Sequence, residues 1–155
     1  YDRGHMAPAA TTGTTESTMS DTFLLSNMSP QTAQFNRFGW ADLEAAVRDC
    51  VYQERALLVV TGPVVSASSP VRIGGDGPVV PDAYYKFVMT VAAPYQAFAV
   101  LIPHEGFTMQ QLSGFVVSPD ELEAATGLDF VSGLDDEIED AMEAESVDFC
   151  GMTSL

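Results

Sequence analysis

The chain has 155 residues, 46% of them hydrophobic, with a mean hydropathy of +0.10. That is long and apolar enough for one domain with a real core, and it excludes an intrinsically disordered polymer. No run of eighteen apolar residues occurs, so no membrane-spanning helix is expected. The net charge of −16 is lopsided: residues 1–104 carry nine acids and six bases, whereas residues 105–155 carry thirteen acids and no Lys or Arg. This argues against a nucleic-acid surface in the last third. An acidic stretch of this kind reads as a solvated face, an adaptation to high salt, or a flap that docks on a basic partner. Cys50 and Cys150 are either a disulfide tying the tail to a helix or two separate buried thiols.

In chain order, residues 2–8 read as a strand end running into a loop, and residues 9–20 (AATTGTTESTMS) as a hydroxyl-rich surface loop. Residues 21–25 (DTFLL) suit a short strand, and residues 26–34 a Pro-containing loop. A helix is predicted over residues 35–55. Residues 56–65 (ALLVVTGPVV) read as a buried strand broken at Gly62-Pro63, and residues 66–81 as a long loop or hairpin. Residues 84–92 and 96–103 read as two strands joined across Ala93-Pro94-Tyr95, with a short extended piece at 115–117. Ser118-Pro119-Asp120-Glu121 carries a Ser cap, Pro at the first position and Glu three after the cap, so a helix starts there and stops near Gly127. Residues 134–144 form an acidic helix, and residues 133–155 as a whole an acidic helix and tail on a single domain spanning 1–155. Strands in the middle with flanking helices give an α+β class.

The stretch 35–48 (FNRFGWADLEAAVR) carries the chemistry. Asn36, Trp40, Glu44 and Arg48 recur every four residues, a spacing that keeps them on one side of a continuous helix with a drift of about 40° per step. Leu43 and Val47 form a second, apolar row for a core. An Asn carbonyl and a carboxylate two turns on suit a hard cation that keeps several waters, although the same residues also suit a helix cap and a solvated charge. His5, after Arg-Gly on a polar loop, reads as a general base near neutral pH or as a surface histidine. His104, after AVLIP, reads as structural or exposed. Zinc clusters, a phosphate-binding Walker loop and a GxSxG elbow are absent from the sequence.

Three stretches in order, Asp2-Arg3-Gly4-His5, Ser26-Asn27-Met28-Ser29-Pro30-Gln31, and Phe35-Asn36-Arg37 through Trp40, Leu43 and Glu44, resemble the DNA/RNA non-specific endonucleases, the family of the Serratia-type nuclease and endonuclease G. Val60-Thr61-Gly62-Pro63, Pro81-Asp82-Ala83-Tyr84-Tyr85-Lys86 and Thr126-Gly127-Leu128-Asp129-Phe130 continue the likeness over nearly the whole chain. The resemblance implies a ββα-metal (His-Me finger) fold with a central antiparallel sheet flanked by helices. It implies that His5 is the general base, that Asn36 is the direct ligand of Mg²⁺, and that Glu44 anchors metal-bound water. Mn²⁺ or another divalent cation would substitute. Arg3 matches an arginine near the scissile phosphate; Asn27 and Gln31 match polar residues that shape the site; Arg37 and Arg48 match the substrate side.

The implied activity is Mg²⁺-dependent cleavage of DNA and RNA to 5′-phosphates. Rival readings are an inactive binding or regulatory module of the same fold, and a phosphodiesterase with a non-nucleic-acid substrate. Secretion or a periplasmic home follows from the resemblance, with a mitochondrial one as alternative; no membrane partner is expected, and a homodimer is compatible. Two departures stand out. Members carry a segment before the DRGH motif, whereas this chain begins at Tyr1, so an upstream fragment or second chain, richer in Lys and Arg, is expected to complete the fold. Thr11 stands where the family has Asp after Ala9-Ala10.

Overall fold

A computed structural model describes residues 1–65, 70–143 and 149–153, apart from the side chains at 136, 140, 141 and 143. Its centre is a four-stranded antiparallel sheet of β3 (Leu57–Val64), β4 (Ala83–Thr90), β5 (Ala97–Pro103) and β6 (Val116–Val117), in that spatial order. A separate two-stranded ladder pairs β1 (Asp2–His5) with β2 (Met28–Gln31), Asp2 opposite Gln31 and His5 opposite Met28.

Strand β4 explains the layering. Residues 84–90 are all buried, which requires cover on both faces of the sheet. Tyr84 and Val88, with Phe98, Val100 and Ile102 of β5, join one core with Trp40, Leu43 and Val47 of α4 (Gly39–Glu54). Tyr85, Phe87 and Met89 join a second core with Leu122 of α5 (Pro119–Thr126) and Met142 of α6 (Asp136–Glu143). The acidic helices therefore cover the far side of the sheet. The caps of α5 are those the sequence predicts: Ser118 Oγ accepts from Glu121 N at 3.1 Å, the Glu121 carboxylate accepts from Ser118 N at 2.9 Å, and Gly127 ends the helix at φ 70°. Cys50 and Cys150 are joined as a disulfide, with a Cα–Cα distance of 5.6 Å, fastening the tail to the far half of α4.

Several expectations need correction. Residues 9–20 are not a bare loop: α1 (Ala9–Thr12) and α2 (Glu16–Asp21) lie there, the second started by a reciprocal Thr15–Thr18 cap. The DTFLL strand is instead the end of α2 and a turn into a short 3₁₀ segment, Leu25–Asn27. The loop expected over 26–34 contains β2 and the start of α3 (Ala33–Arg37). The helix expected over 35–55 is broken at Phe38 (φ −120°, ψ −103°), and α4 begins at Gly39, where a Cβ would run into the Phe107 carbonyl. Trp40 is 1% exposed and belongs to the core, not to a chemical row. Strand β3 runs unbroken through Gly62-Pro63, because it is the sheet edge and the missing N–H of Pro63 breaks no ladder there. It is also only partly buried, with Leu58 and Val59 about two-fifths exposed. Parts of the expected loop at 66–81 and of the acidic tail fall outside the described residues. Among the described residues, no helix is long and apolar enough to cross a membrane.

Candidate active site

The site is assembled around the β1–β2 ladder. Gly4 is required there, since a Cβ would run into the Gln31 side chain, which is fully buried beneath it. Below the ladder, Tyr84 Oη donates to the Pro30 carbonyl at 2.7 Å, which leaves Ser29 Oγ, 2.8 Å away, as donor to the phenol oxygen. Burial pushes the Tyr84 phenol up to about 12. The ladder is thus bolted to the central sheet.

Asp2 ties the ladder to α3. Its carboxylate takes a bidentate fork from Arg37 (Nε and Nη2, both 2.8 Å) and a bond from Asn36 Nδ2 at 3.1 Å. The Arg37 and Asn36 donors hold the Asp2 carboxyl below the usual range. The Asn36 amide is thereby oriented, with Oδ1 taking no part in the Asp2 bond.

His5 ends β1. Its Nε2 is buried without a hydrogen-bond partner, and burial holds the imidazole below its ordinary pKa, so it is neutral near pH 7. The next residues are clamped by Asn27: Ala7 N donates to Asn27 Oδ1, Asn27 Nδ2 donates to the carbonyls of Ala7 and Thr22 (2.9 Å each), and Met6 N donates to the Asn27 carbonyl at 3.0 Å. Phe23 stands edge-on to the His5 ring at 4.9 Å between centroids.

Glu44 lies across from this clamp, on the wall of a 410 Å³ cavity shared with Met6, Ala7, Asn27, Thr61 and Lys86. Burial raises the Glu44 carboxyl, and Lys86 and Arg48 pull it back down; the Trp40 indole N–H adds a weaker pull, too loose to form a hydrogen bond. Lys86 is 1% exposed, donates to Thr61 Oγ1 at 2.8 Å and lies 4.6 Å over the Trp40 ring. Burial brings its ammonium down to about 8, against the opposing pull of Glu44.

Of the residues singled out from the sequence, Asn36 and Arg37 are bonded to the strand that ends at His5, and Asn27 and Glu44 share the adjoining cavity. Arg3 is exposed and lines a second cavity with Tyr1 and Leu25. Gln31 is fully buried with both amide atoms unpaired, so it shapes the strand from beneath. The charge of Arg48 acts on Glu44, one turn away on α4. His104 is structural: Thr32 N donates to its Nε2 at 2.8 Å, which makes Nδ1 the protonated nitrogen, and Nδ1 donates to the Pro81 carbonyl at 2.9 Å. The sequence reading gave no role to Asp2, Phe23 or Lys86. A lone Lys in the apolar run YYKFVMT is the sequence signal for Lys86, whereas Phe23 lies in DTFLL, whose composition suits a strand.

Among the described residues no group of three His, Cys, Asp or Glu side chains is gathered to hold an ion. What is present is an amide oxygen on Asn36, oriented by its Asp2 bond, a carboxylate on Glu44, and a buried His5 Nε2 with no hydrogen-bond partner among the described residues. Oxygen donors this sparse fit a hydrated hard cation that keeps most of its waters, and not a caged zinc.

The sequence pattern of the DNA/RNA non-specific endonuclease family matches residues 1–137. A nuclease of Nostoc sp. is 35% identical over 156 residues, covering 94% of this chain and 56% of the relative. The mitochondrial nuclease of Saccharomyces cerevisiae is 33% identical over 151 residues, covering 84% of this chain and 46% of the relative. A crystal structure of the EndoG/EndoGI complex superposes with a TM-score of 0.78 at 30% identity, over 87% of this chain and 60% of that one. The chain spans about half the length of the curated relatives it matches. With the pattern matched over most of its length and the fold shared, the chain is a member of the DNA/RNA non-specific endonuclease family.

Proposed function

We propose that this chain carries the catalytic site of a divalent-metal-dependent endonuclease that hydrolyses DNA and RNA and leaves 5′-phosphates. The observation that carries this reading is the Asp2 fork. It fastens Asn36 of α3 to Asp2, at the start of the strand that ends at His5, and so supports reading the Asn36 amide oxygen and the His5 imidazole as parts of one site.

In this reading His5 takes the proton from the attacking water, a role its depressed pKa supports because the free base is present at neutral pH. Arg3, exposed two residues earlier, offers its guanidinium to the non-bridging phosphate oxygens. Asn36 Oδ1 would ligate the ion and Glu44 would hold its waters, with Mg²⁺ preferred and Mn²⁺ able to replace it. Such an ion supplies charge neutralisation on the phosphate and support for the departing 3′ oxygen. Lys86 and Arg48 favour the charged form of Glu44, while Asp2 keeps the Asn36 amide from turning. A plasmid-nicking assay tests the reading. Relaxation of supercoiled DNA and degradation of RNA are expected with Mg²⁺ and none with EDTA; cleavage that persists undiminished in EDTA would overturn it.

We also propose that further polypeptide, an upstream part of the same product or a second chain, packs against the edge of β3. The exposed Leu58, Val59 and Val65 and the side of β3 that pairs with no other strand among the described residues support this, as does the shortage of basic residues for a phosphate groove. That polypeptide should be richer in Lys and Arg. An active preparation whose intact mass corresponds to these 155 residues alone would rule it out. Secretion or a periplasmic home remains our preferred location, with the mitochondrial name of the yeast relative favouring the alternative.

A further inference from the structure

Phe23 is an aromatic side chain standing beside the proposed general base with most of its surface in solvent. Its ring meets His5 edge-on, 4.9 Å between centroids and 83° between planes, yet 59% of the residue is exposed. A phenyl ring left this open costs hydration free energy, and nothing in its own segment covers it: Leu24 and Leu25, which follow, are exposed as well. Its position is nevertheless fixed. Thr22 Oγ1 donates to the Met19 carbonyl at 2.7 Å, and the Thr22 carbonyl accepts from Asn27 Nδ2, the same amide that clamps Ala7 beyond His5. One side chain therefore sets both the histidine strand and the backbone that presents Phe23. Helix α2, ending at Asp21, delivers the ring to the ladder, and Arg3 is exposed on the same strand as His5.

We infer that Phe23 is a substrate-contacting residue whose exposed surface stacks on a nucleobase next to the scissile phosphate, while its T-shaped contact holds the His5 imidazole in place. This rests on the endonuclease reading proposed above. A flat apolar ring stacks on any base, so it adds affinity without sequence or sugar preference. Arg3 alone would grip the phosphate but would leave the adjoining nucleoside free to swing. A stacked base fixes the phosphate relative to His5, which is the alignment that an in-line attack needs.

The test uses two oligonucleotides of one length cut by the active nuclease, one with ordinary bases and one with tetrahydrofuran abasic units across the cleavage region. The unaltered protein should cut the first with a kcat/KM about tenfold higher, within the usual worth of one aromatic–base stack. Phe23→Ala should abolish most of that preference, bringing the ratio toward one, and Phe23→Trp should retain it. Circular dichroism and melting of each variant show whether it is folded. A ring that merely supports the loop would slow both substrates alike and leave the ratio unchanged in Phe23→Ala, which would overturn the inference and leave the proposed function standing. Absence of cleavage of either oligonucleotide by the unaltered protein would instead overturn the nuclease reading and this inference together.

Discussion

The two histidines mark a region built for packing and a region proposed for chemistry. His104 sits between Phe35 and Tyr84, with ring centroids 5.4 and 5.1 Å away, and both of its nitrogens are used, one by Thr32 and one by Pro81. His5 has a buried Nε2 with no partner and an exposed aromatic at its flank. Burial depresses both imidazoles, so the direction of the pKa shift does not distinguish them. The hydrogen-bond inventory does. A satisfied histidine joins segments of chain; one held at the end of a strand with free capacity can move a proton.

The sharpest way to break this contrast is to remove each ring. His5→Ala is expected to lower turnover by about two to four orders of magnitude with an unchanged melting profile. Near-normal nicking by purified His5→Ala protein would take His5 out of the mechanism. His104→Ala should do the reverse, losing stability while activity per folded molecule stays within a few-fold of the parent.

A second comparison lies within the chemical region. Asn36→Ala removes the proposed direct ligand and Glu44→Gln only a holder of its waters. The Mg²⁺ concentration for half-maximal activity should therefore rise more in the first, and by roughly 10- to 100-fold in the second. Titrations that place Glu44→Gln at or above Asn36→Ala would reverse the assignment of the two residues.

The smallest effect concerns pH. His104 has a folded-state pKa below its unfolded value, mainly through burial, with Pro81 and Asp82 opposing. Its contribution to stability is thus fully present above about pH 6.5 and lost as pH falls through the lower folded-state value. His104→Gln should cost about 1 kcal/mol at neutral pH and flatten the decline in stability below it. Urea unfolding at a series of pH values measures both; an unflattened slope would place the titration elsewhere, His5 being the other histidine with a depressed pKa.

What was legible in the sequence follows the same divide. Strands β4 and β5 and helix α5 were readable because local signals agreed: continuous apolar runs for the strands, and Ser118, Pro119, Glu121 and Gly127 for the helix. Leu43 and Val47 were read as core for the same reason. Strand β2 was not legible, because MSPQ has neither alternation nor β-rich composition; it is a strand only because β1, more than twenty residues earlier, supplies a partner. The break at Phe38 was hidden because the four-residue row ran straight across it, and only Gly39, placed against Phe107, betrays the change of direction. The site residues were reached through motif likeness; the fork on Asp2 and the clamp of Asn27 depend on contacts across 35 and 20 residues that no local pattern announces.

The central claim is that Asn36 is committed to an ion and His5 is left free for the proton. The most direct measurement is the anomalous difference map of a crystal of the nuclease soaked in Mn²⁺. The account predicts a peak within ligand distance of Asn36 Oδ1, with Glu44 joined through water and neither ring nitrogen of His5 in the coordination sphere. A crystal with no peak at Asn36, or with the ion bound directly by His5, would contradict it.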